Sequence, residues 1–472
     1  MNVAREGLAR LEQAFRWAMA EKEGPWVCEV FLPPDRWETW NKPLSLLVIA
    51  EPGMGRSTLA RVWQERAGAL VVPISGQELA ALTLPEVPRD WQTVARQVLR
   101  WALERLILLL VERFRQEKCP PEWTRSVLHP LLAAFLPFGV EAFLAARQVA
   151  PDEPGVVRFL DWLGMSKTHT DAPPLSFLEG ARYLLAVVRA LNYQHLWLLV
   201  DFPSSPLPPS VLTGFQALAH VLQWFDLPGW VFRFLVPETV AARFLEAAAV
   251  LRRRMMVERL TWTPEQVRRL VERRLQWATQ GAWASLRDVV ADAEFEAWLA
   301  LYGQSNPRAW LALLWPFVRE RARWNRPLTP ETWRQLAQRH PPPLYVEEAR
   351  RRVWLGARPL VLSREEAWRL LTFLYRHRGR YCSREELYYL ALEARDRIPA
   401  PQDPSWEPPA VWRGRLDTAL YRLRQAVEPN PRRPQYVVVQ RGRGVVLRHA
   451  TGLLGLPAFV LDELIQEVGS GN

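Results

Sequence analysis

Apolar residues fall along this chain in two rhythms. Leu44–Ala50 is a short, continuously apolar run, the pattern of a strand buried on both faces, and Val71–Ile74, Leu196–Val200 and Trp230–Val236 repeat it. Helical spacing dominates from about residue 90 to residue 191 (Trp91, Val94, Val98, Trp101, Leu106), broken by Pro120, Pro121, Pro130, Pro137 and a loop over 151–174. Strand and helix alternate, so the pattern predicts an α/β unit with a parallel sheet over 1–250, carrying a helical insertion at about 85–190.

Beyond it the spacing changes. Thr263-Pro264-Glu265-Gln266 is a capping box with proline at the first helical position, and it opens an all-helical unit over 255–340. Pro341-Pro342-Pro343 reads as a stiff linker into a third unit, 346–450, followed by a tail at 451–472. In the third unit Arg352–Leu362 reads as an initial strand pair. The boxes Ser363-Arg-Glu-Glu366 and Ser383-Arg-Glu-Glu386 each start a helix, and a third helix from about Arg415 repeats Leu416, Ala419, Leu420, Leu423 and Val427. Tyr436–Val439 and Val445–Arg448 flank Arg441-Gly442-Arg443-Gly444, a hairpin with a basic tip. Three helices and a hairpin make a winged helix. The expected fold is therefore multi-domain: a parallel-sheet α/β core with helical insertion, an all-helical unit, and a C-terminal winged helix-turn-helix.

Composition narrows the class. With 472 residues, 49% of them hydrophobic, the chain has ample core. Cys28, Cys119 and Cys382 are too few and too scattered for a disulfide framework, which implies a reducing, cytoplasmic setting. No apolar run reaches the roughly 18 residues of a spanning helix, and neither a membrane segment nor a signal peptide is expected. Charge is unevenly placed. The whole chain is at +11, yet Val346–Ala450 alone holds 21 arginines, no lysine and 12 acidic residues, a net +9. That concentration is the footprint of a module that meets phosphate backbones.

The candidate chemistry begins at Ala50-Glu51-Pro52-Gly53-Met54-Gly55-Arg56-Ser57-Thr58, between the first strand and a helix. A glycine-rich turn there aims backbone N–H groups and a helix N-terminus at phosphates, while a hydroxyl reaches Mg²⁺. Arg56 stands where the pattern has lysine, a planar fork in place of a compact ammonium. Leu196–Val200 ends in Asp201, placed to orient a Mg²⁺ shell, and the next residue, Phe202, cannot accept a proton. The nucleotide candidates are Gly53, Gly55, Arg56, Ser57, Thr58, Asp201 and Arg308, with Ser57 and Asp201 as metal ligands if ATP with Mg²⁺ binds. On the third helix and hairpin, Arg413, Arg415, Thr418, Tyr421, Arg422, Arg424, Arg441 and Arg443 are the DNA-contacting candidates.

By these motifs the first 340 residues resemble the AAA+/STAND group of P-loop ATPases. Gly303-Gln304-Ser305-Asn306-Pro307-Arg308 is similar to the lid stretch whose arginine senses the terminal phosphate, and Val257-Glu258-Arg259-Leu260 to the lid entry. Arg252-Arg253-Arg254 is a candidate finger for a neighbouring subunit. Residues 346–449 resemble the OmpR/PhoB-type winged-helix domain of bacterial response regulators, carried by Leu362–Glu366, Leu416–Arg424 and Tyr436–Gly444. Val445 and the long proline-rich loop 395–412 depart from that pattern. The resemblances imply a DNA-binding transcriptional regulator, at most a weak ATPase, whose partners are double-stranded DNA, RNA polymerase through that loop, and further copies of itself. Two other readings stay open: an active ATPase that remodels or loads nucleoprotein complexes, and a STAND-type signalling scaffold.

Overall fold

The computed structural model describes residues 7, 9–16, 26–66, 68–82, 91–136, 138–164, 175–202, 208–224, 227–247, 255–324 and 326–452. Arg252–Arg254 and residues 453–472 lie outside them. The chain divides into two compact units, one of residues 33–52 and 56–261, the other of 1–32, 53–55 and 262–472.

The first unit is built on a five-stranded parallel sheet: β1 (Leu46–Ala50), β2 (Leu70–Ile74), β3 (Leu196–Asp201), β4 (Trp230–Pro237) and β5 (Met256–Arg259), in the order β2-β3-β4-β1-β5. The central strands are buried along their whole length, as an apolar run covered on both faces demands. β5 was not expected: Met256–Arg259 is half charged, its residues alternate in exposure, and it pairs only with β1 at the sheet edge. An edge strand needs no continuous apolar run, so the stretch Val257–Leu260, expected to enter the lid, contributes its first three residues to this strand. Arg36 and Arg259 neutralise its surroundings through Glu258 and Glu238, both at 2.5 Å. At the opposite edge Pro73 is exposed and removes one donor from the open side of β2, which blunts strand addition.

Between β2 and β3 the expected insertion forms helices Trp91–Arg115, Trp123–Phe135, Gly139–Ala146, Pro154–Leu163 and Phe177–Ala190, whose apolar faces continue the sheet's own core. Many of the described tryptophans, Trp40, Trp63, Trp197 and Trp412 among them, are buried in such cores. Arg233, fully buried at the centre of β4, lies over the rings of Trp63 (5.1 Å) and Trp197 (4.4 Å) and donates to the Lys42 carbonyl at 2.5 Å. Burial pushes its pKa down to about 9, which leaves it cationic at neutral pH, held by the two ring faces.

The second unit joins the N-terminal residues to everything after Trp262. The Thr263 capping box forms as expected, with Gln266 N–H donating to Thr263 Oγ1 at 3.2 Å. Arg274 donates to the Ala14 carbonyl and Trp26 stacks on Trp277 at 4.4 Å, so the described residues of 9–16 and 26–32 pack with the helices that follow Trp262. Helices Pro264–Ala278, Ala293–Gly303, Pro307–Arg323 and Pro330–Arg339 follow, the stretch expected to be the lid. They share one compact unit with an antiparallel sheet of β6 (Leu344–Glu347), β7 (Arg352–Leu355) and β8 (Arg358–Leu360), helix Glu365–Arg376, a π-helical turn Glu386–Leu392, helix Pro409–Val427, and the hairpin β9 (Val437–Gln440) and β10 (Gly444–Leu447).

Half-buried His340 ends the last lid helix. Burial first, then the Arg319 and Arg339 cations, hold its imidazole below the ordinary 6.5. The unfolded chain therefore binds this proton more readily. His340's contribution to stability is present in full above 6.5 and shrinks as pH falls below it. The urea midpoint is expected to drop between about pH 7.5 and pH 5.5, and a His340→Gln variant to show a shallower drop; parallel curves would refute the assignment.

Candidate functional site

Two sets of residues converge where the sequence placed its chemistry. The first lies at the carboxyl ends of β1 and β3. Both strands flank β4 and run parallel, so their ends reach the same edge of the sheet, where open α/β sheets hold ligands. The helix Arg56–Arg66 starts directly after the turn, and Ser57 Oγ donates to Asp201 Oδ2 at 2.6 Å across 144 positions of sequence. A hydroxyl against a carboxylate is the oxygen donor pair that a hard cation such as Mg²⁺ accepts.

Gly53 and Gly55 both sit at φ +88°, a conformation that side-chain-bearing residues rarely adopt. Gly53 also has no room: an added Cβ would come within 2.5 Å of Asn306 Oδ1. Asn306 caps the helix Pro307–Arg323 through the Ala309 N–H at 3.1 Å, and Arg308 donates its backbone N–H to the Gly53 carbonyl at 3.2 Å. Trp262 Nε1 holds the Met54 carbonyl at 2.9 Å. Thus Arg308 meets the turn through its main chain, whereas the sequence reading gave it a guanidinium role. Asn306 and Trp262 were missed as loop-holding residues. The Asn-Pro pair signalled the cap, but nothing local signalled the packing on Gly53.

Arg56 is 6% exposed, so little of its guanidinium is at the surface. Phe202 is 1% exposed and its ring packs edge-on against Phe215 (5.7 Å) and Phe244 (4.3 Å). The position after Asp201 is therefore core, with no acid to polarise an attacking water. The fit to a nucleotide rests on the glycine turn, where side chains are excluded, and on the Ser57 and Asp201 oxygens. Among the described residues no His, Cys, Asp or Glu cluster could hold a metal ion by itself.

The second set lies on helix Pro409–Val427 and the hairpin. The helix begins six residues before the expected Arg415, with Pro409 in its first turn. Three of its four arginines are engaged: Arg415 donates to Glu366 (2.8 Å) and Glu393 (2.6 Å), Arg422 lies 3.9 Å from Glu366, and Arg424 donates to the Val437 carbonyl at 3.0 Å. The Ser363 box does not form for the same reason. Helix Glu365–Arg376 starts without a side-chain cap, and Glu366 turns to Arg415. The Ser383 box does form, through Glu386.

Arg413 and Arg441 are exposed and have no ion pair among the described residues, while Arg443 lies over the Tyr381 ring at 5.2 Å. Thr418 and Tyr421 are exposed on the same helix. Two further features shape this region. Glu428, 6% exposed, accepts the backbone N–H groups of Gln435 (2.7 Å), Tyr436 (2.9 Å) and Val437 (2.6 Å), anchoring the start of the hairpin. The loop 395–412 is folded in: Tyr388 stacks on Trp412 at 5.0 Å and Tyr389 OH bonds the Glu407 main chain.

No protein-family model and no curated protein matches this chain. Among solved structures it is similar to the Orc1 protein of Aeropyrum pernix in complex with DNA, at 14% identity over 94% of this chain and 96% of that one, with a TM-score of 0.35. It is also similar to Cdc6p from Pyrobaculum aerophilum, at 14% identity over 93% and 98%, with a TM-score of 0.28. Likenesses at this level establish no family membership. The geometry itself defines a five-stranded parallel sheet flanked by helices with a glycine turn between strand and helix, consistent with a P-loop NTPase core. Among the described residues no single helix is long and apolar enough to cross a membrane.

Proposed function

We propose that this chain is a DNA-associated protein whose P-loop site binds ATP with Mg²⁺ and whose C-terminal module, read as a winged helix, grips the duplex with a strength that depends on the bound nucleotide. One observation carries the reading. The segment Tyr302–Trp310 touches both functions inside a single compact unit: Arg308 N–H and Asn306 hold Gly53 of the phosphate loop, and the Tyr302 carbonyl accepts the Ala357 N–H at 2.6 Å, at the turn between β7 and β8. That turn fits closely, since a Cβ on Gly356 would meet the Tyr302 carbonyl at 2.5 Å. A shift of the phosphate loop is thereby transmitted to the DNA module through one rigid cap.

When bound, Mg²⁺ would neutralise phosphate charge beside Ser57 and Asp201. The turn Gly53–Gly55 supplies backbone N–H groups, and Ser57 with Asp201 offers the oxygens that hold the cation. With Phe202 in the core, the position after Asp201 supplies no base, and the site is read as one that holds ATP more than it turns it over. The contact path through Tyr302–Trp310 supports a nucleotide-gated loader or remodeller of nucleoprotein complexes; Phe202 at the position after Asp201 is the specific support that the transcriptional-regulator reading keeps.

The test is equilibrium binding of a fluorescent ATP analogue with Mg²⁺ to the full chain, followed by duplex affinity with and without it. Asp201→Ala is expected to weaken analogue binding by at least about tenfold, a loss of roughly 1.4 kcal/mol, and to erase the nucleotide effect on DNA. Unchanged analogue binding in Asp201→Ala, or DNA affinity indifferent to nucleotide in the wild type, would overturn the reading. ATP turnover stimulated by DNA would move the assignment to an active remodeller.

A further inference from the structure

The DNA-facing helix offers something other than arginine to the bases. Along Pro409–Val427, positions 411, 414, 418, 421 and 425 recur at helical spacing and form one exposed stripe: Val411, Gly414, Thr418, Tyr421 and Gln425. Val411 is 65% exposed and Tyr421 62%. Thr418 Oγ1 donates to the Gly414 carbonyl at 2.8 Å, so its hydrogen is already committed and its methyl is the group left over. The charges beside the stripe are neutralised within the module: Asp417 pairs with Arg384, while Arg415 and Arg422 turn to Glu366. What remains on this face is the methyl groups of Val411 and Thr418 and the ring of Tyr421, ending at the Gln425 amide, in a segment of net charge +9 whose exposed cations include Arg413 and Arg441.

In the major groove only one base edge carries an apolar group, the C5 methyl of thymine. We propose that the Val411–Thr418–Tyr421 strip reads thymine methyl groups, so the preferred duplex is rich in A·T pairs at the contacted positions, and that Arg413 and Arg441 supply the sequence-independent phosphate contacts. The net charge of +9 over residues 346–450 selects DNA as the occupant over an apolar protein surface, since a polyanion is what an excess of arginine complements. The proposal rests on the reading of the C-terminal module as a DNA-binding winged helix and deepens it.

Uracil in place of thymine removes the methyl and leaves every base hydrogen-bonding group in the groove. The full chain is titrated against equal-length duplexes of alternating dA and dT, the same with dU for dT, alternating dG and dC, and the last with 5-methylcytosine. Burial of one methyl corresponds to about a fourfold change in affinity, so the dT duplex is expected to bind roughly tenfold or more tightly than the dU duplex. 5-Methylcytosine should strengthen binding to the dG·dC duplex. Val411→Ala and Tyr421→Ala, both at exposed sites, should shrink the dT to dU ratio toward one, whereas Arg441→Gln should weaken all duplexes by a similar factor. Equal affinity of the wild type for the dT and dU duplexes, or an unchanged ratio in both apolar variants, overturns the methyl-reading strip while the DNA-binding reading stands. Binding to no duplex at all overturns the DNA-binding reading itself, and the strip with it.

Discussion

Glu428→Ala is expected to destabilise the C-terminal module by about 3 kcal/mol or more and to abolish its duplex binding. The carboxylate is buried and accepts three consecutive backbone N–H groups, from Gln435, Tyr436 and Val437, at 2.6 to 2.9 Å. Alanine leaves three donors orphaned where water has little access, and each such group costs roughly 1–3 kcal/mol, partly offset because a buried charge no longer has to be desolvated. The consequence reaches function because these residues launch β9, which carries the basic tip at Arg441 and Arg443. Tyr436 also bonds the Pro342 carbonyl through its hydroxyl at 2.6 Å, so the lid end of the linker is loosened with it. Glu428→Gln keeps one acceptor oxygen and is expected to lose about half as much. Urea midpoints together with hydrogen exchange at the Tyr436 and Val437 amides decide it. Unaltered exchange at those amides in Glu428→Ala would sink the anchor role.

Phe202→Glu, the change that would place an acid beside Asp201, is expected to unfold the sheet domain and not to create an ATPase. Phe202 is enclosed by Phe215 and Phe244, and Phe215 in turn packs on Phe234 at 5.2 Å. Removing such a ring costs about 3–5 kcal/mol, and forcing a carboxylate among aromatic rings adds the cost of an unpaired buried charge. The total exceeds about 5 kcal/mol, a large part of the stability of a typical domain. Phe202→Leu, which keeps apolar volume, is expected to lose less than about 2 kcal/mol. Thermal melting with an ATP turnover assay on both variants is the measurement. A folded Phe202→Glu protein that hydrolyses ATP would show that the aromatic cluster is dispensable and that this position faces the nucleotide after all.

Much of the sheet domain was legible because its signals are local. Leu46–Ala50 and Leu196–Val200 are runs of apolar residues that only a covered strand satisfies, and the residues beyond their ends, Ser57 and Asp201, were identifiable before the sheet brought them to 2.6 Å. β5 was not legible, since a partly solvated edge strand of four residues leaves no distinctive period. The start of helix Pro409–Val427 was written in the sequence as a proline at a helix N-terminus, yet the apolar repeat from Leu416 drew the boundary too late. The Ser363 box shows the opposite failure. Its residues are correct, but Glu366 finds a stronger partner in the Arg415 guanidinium than in a backbone N–H.

The same distinction runs through the candidate sites. The sequence by itself determined the strand–turn–helix of the phosphate loop, the glycines it requires, the Asp201 strand end and the basic C-terminal module, because each follows from spacing within about one turn or one strand. Only the tertiary structure decided that the described residues of 9–16 and 26–32 pack with the helices after Trp262, that Asn306 and the Arg308 main chain hold Gly53, that Phe202 is core, and that Arg415, Arg422 and Arg424 are engaged within the module. The physical reason is common to all of them. Whether a side chain is available to a ligand depends on which partner the fold sets beside it, and those partners lie tens to hundreds of positions away, beyond the reach of any local period.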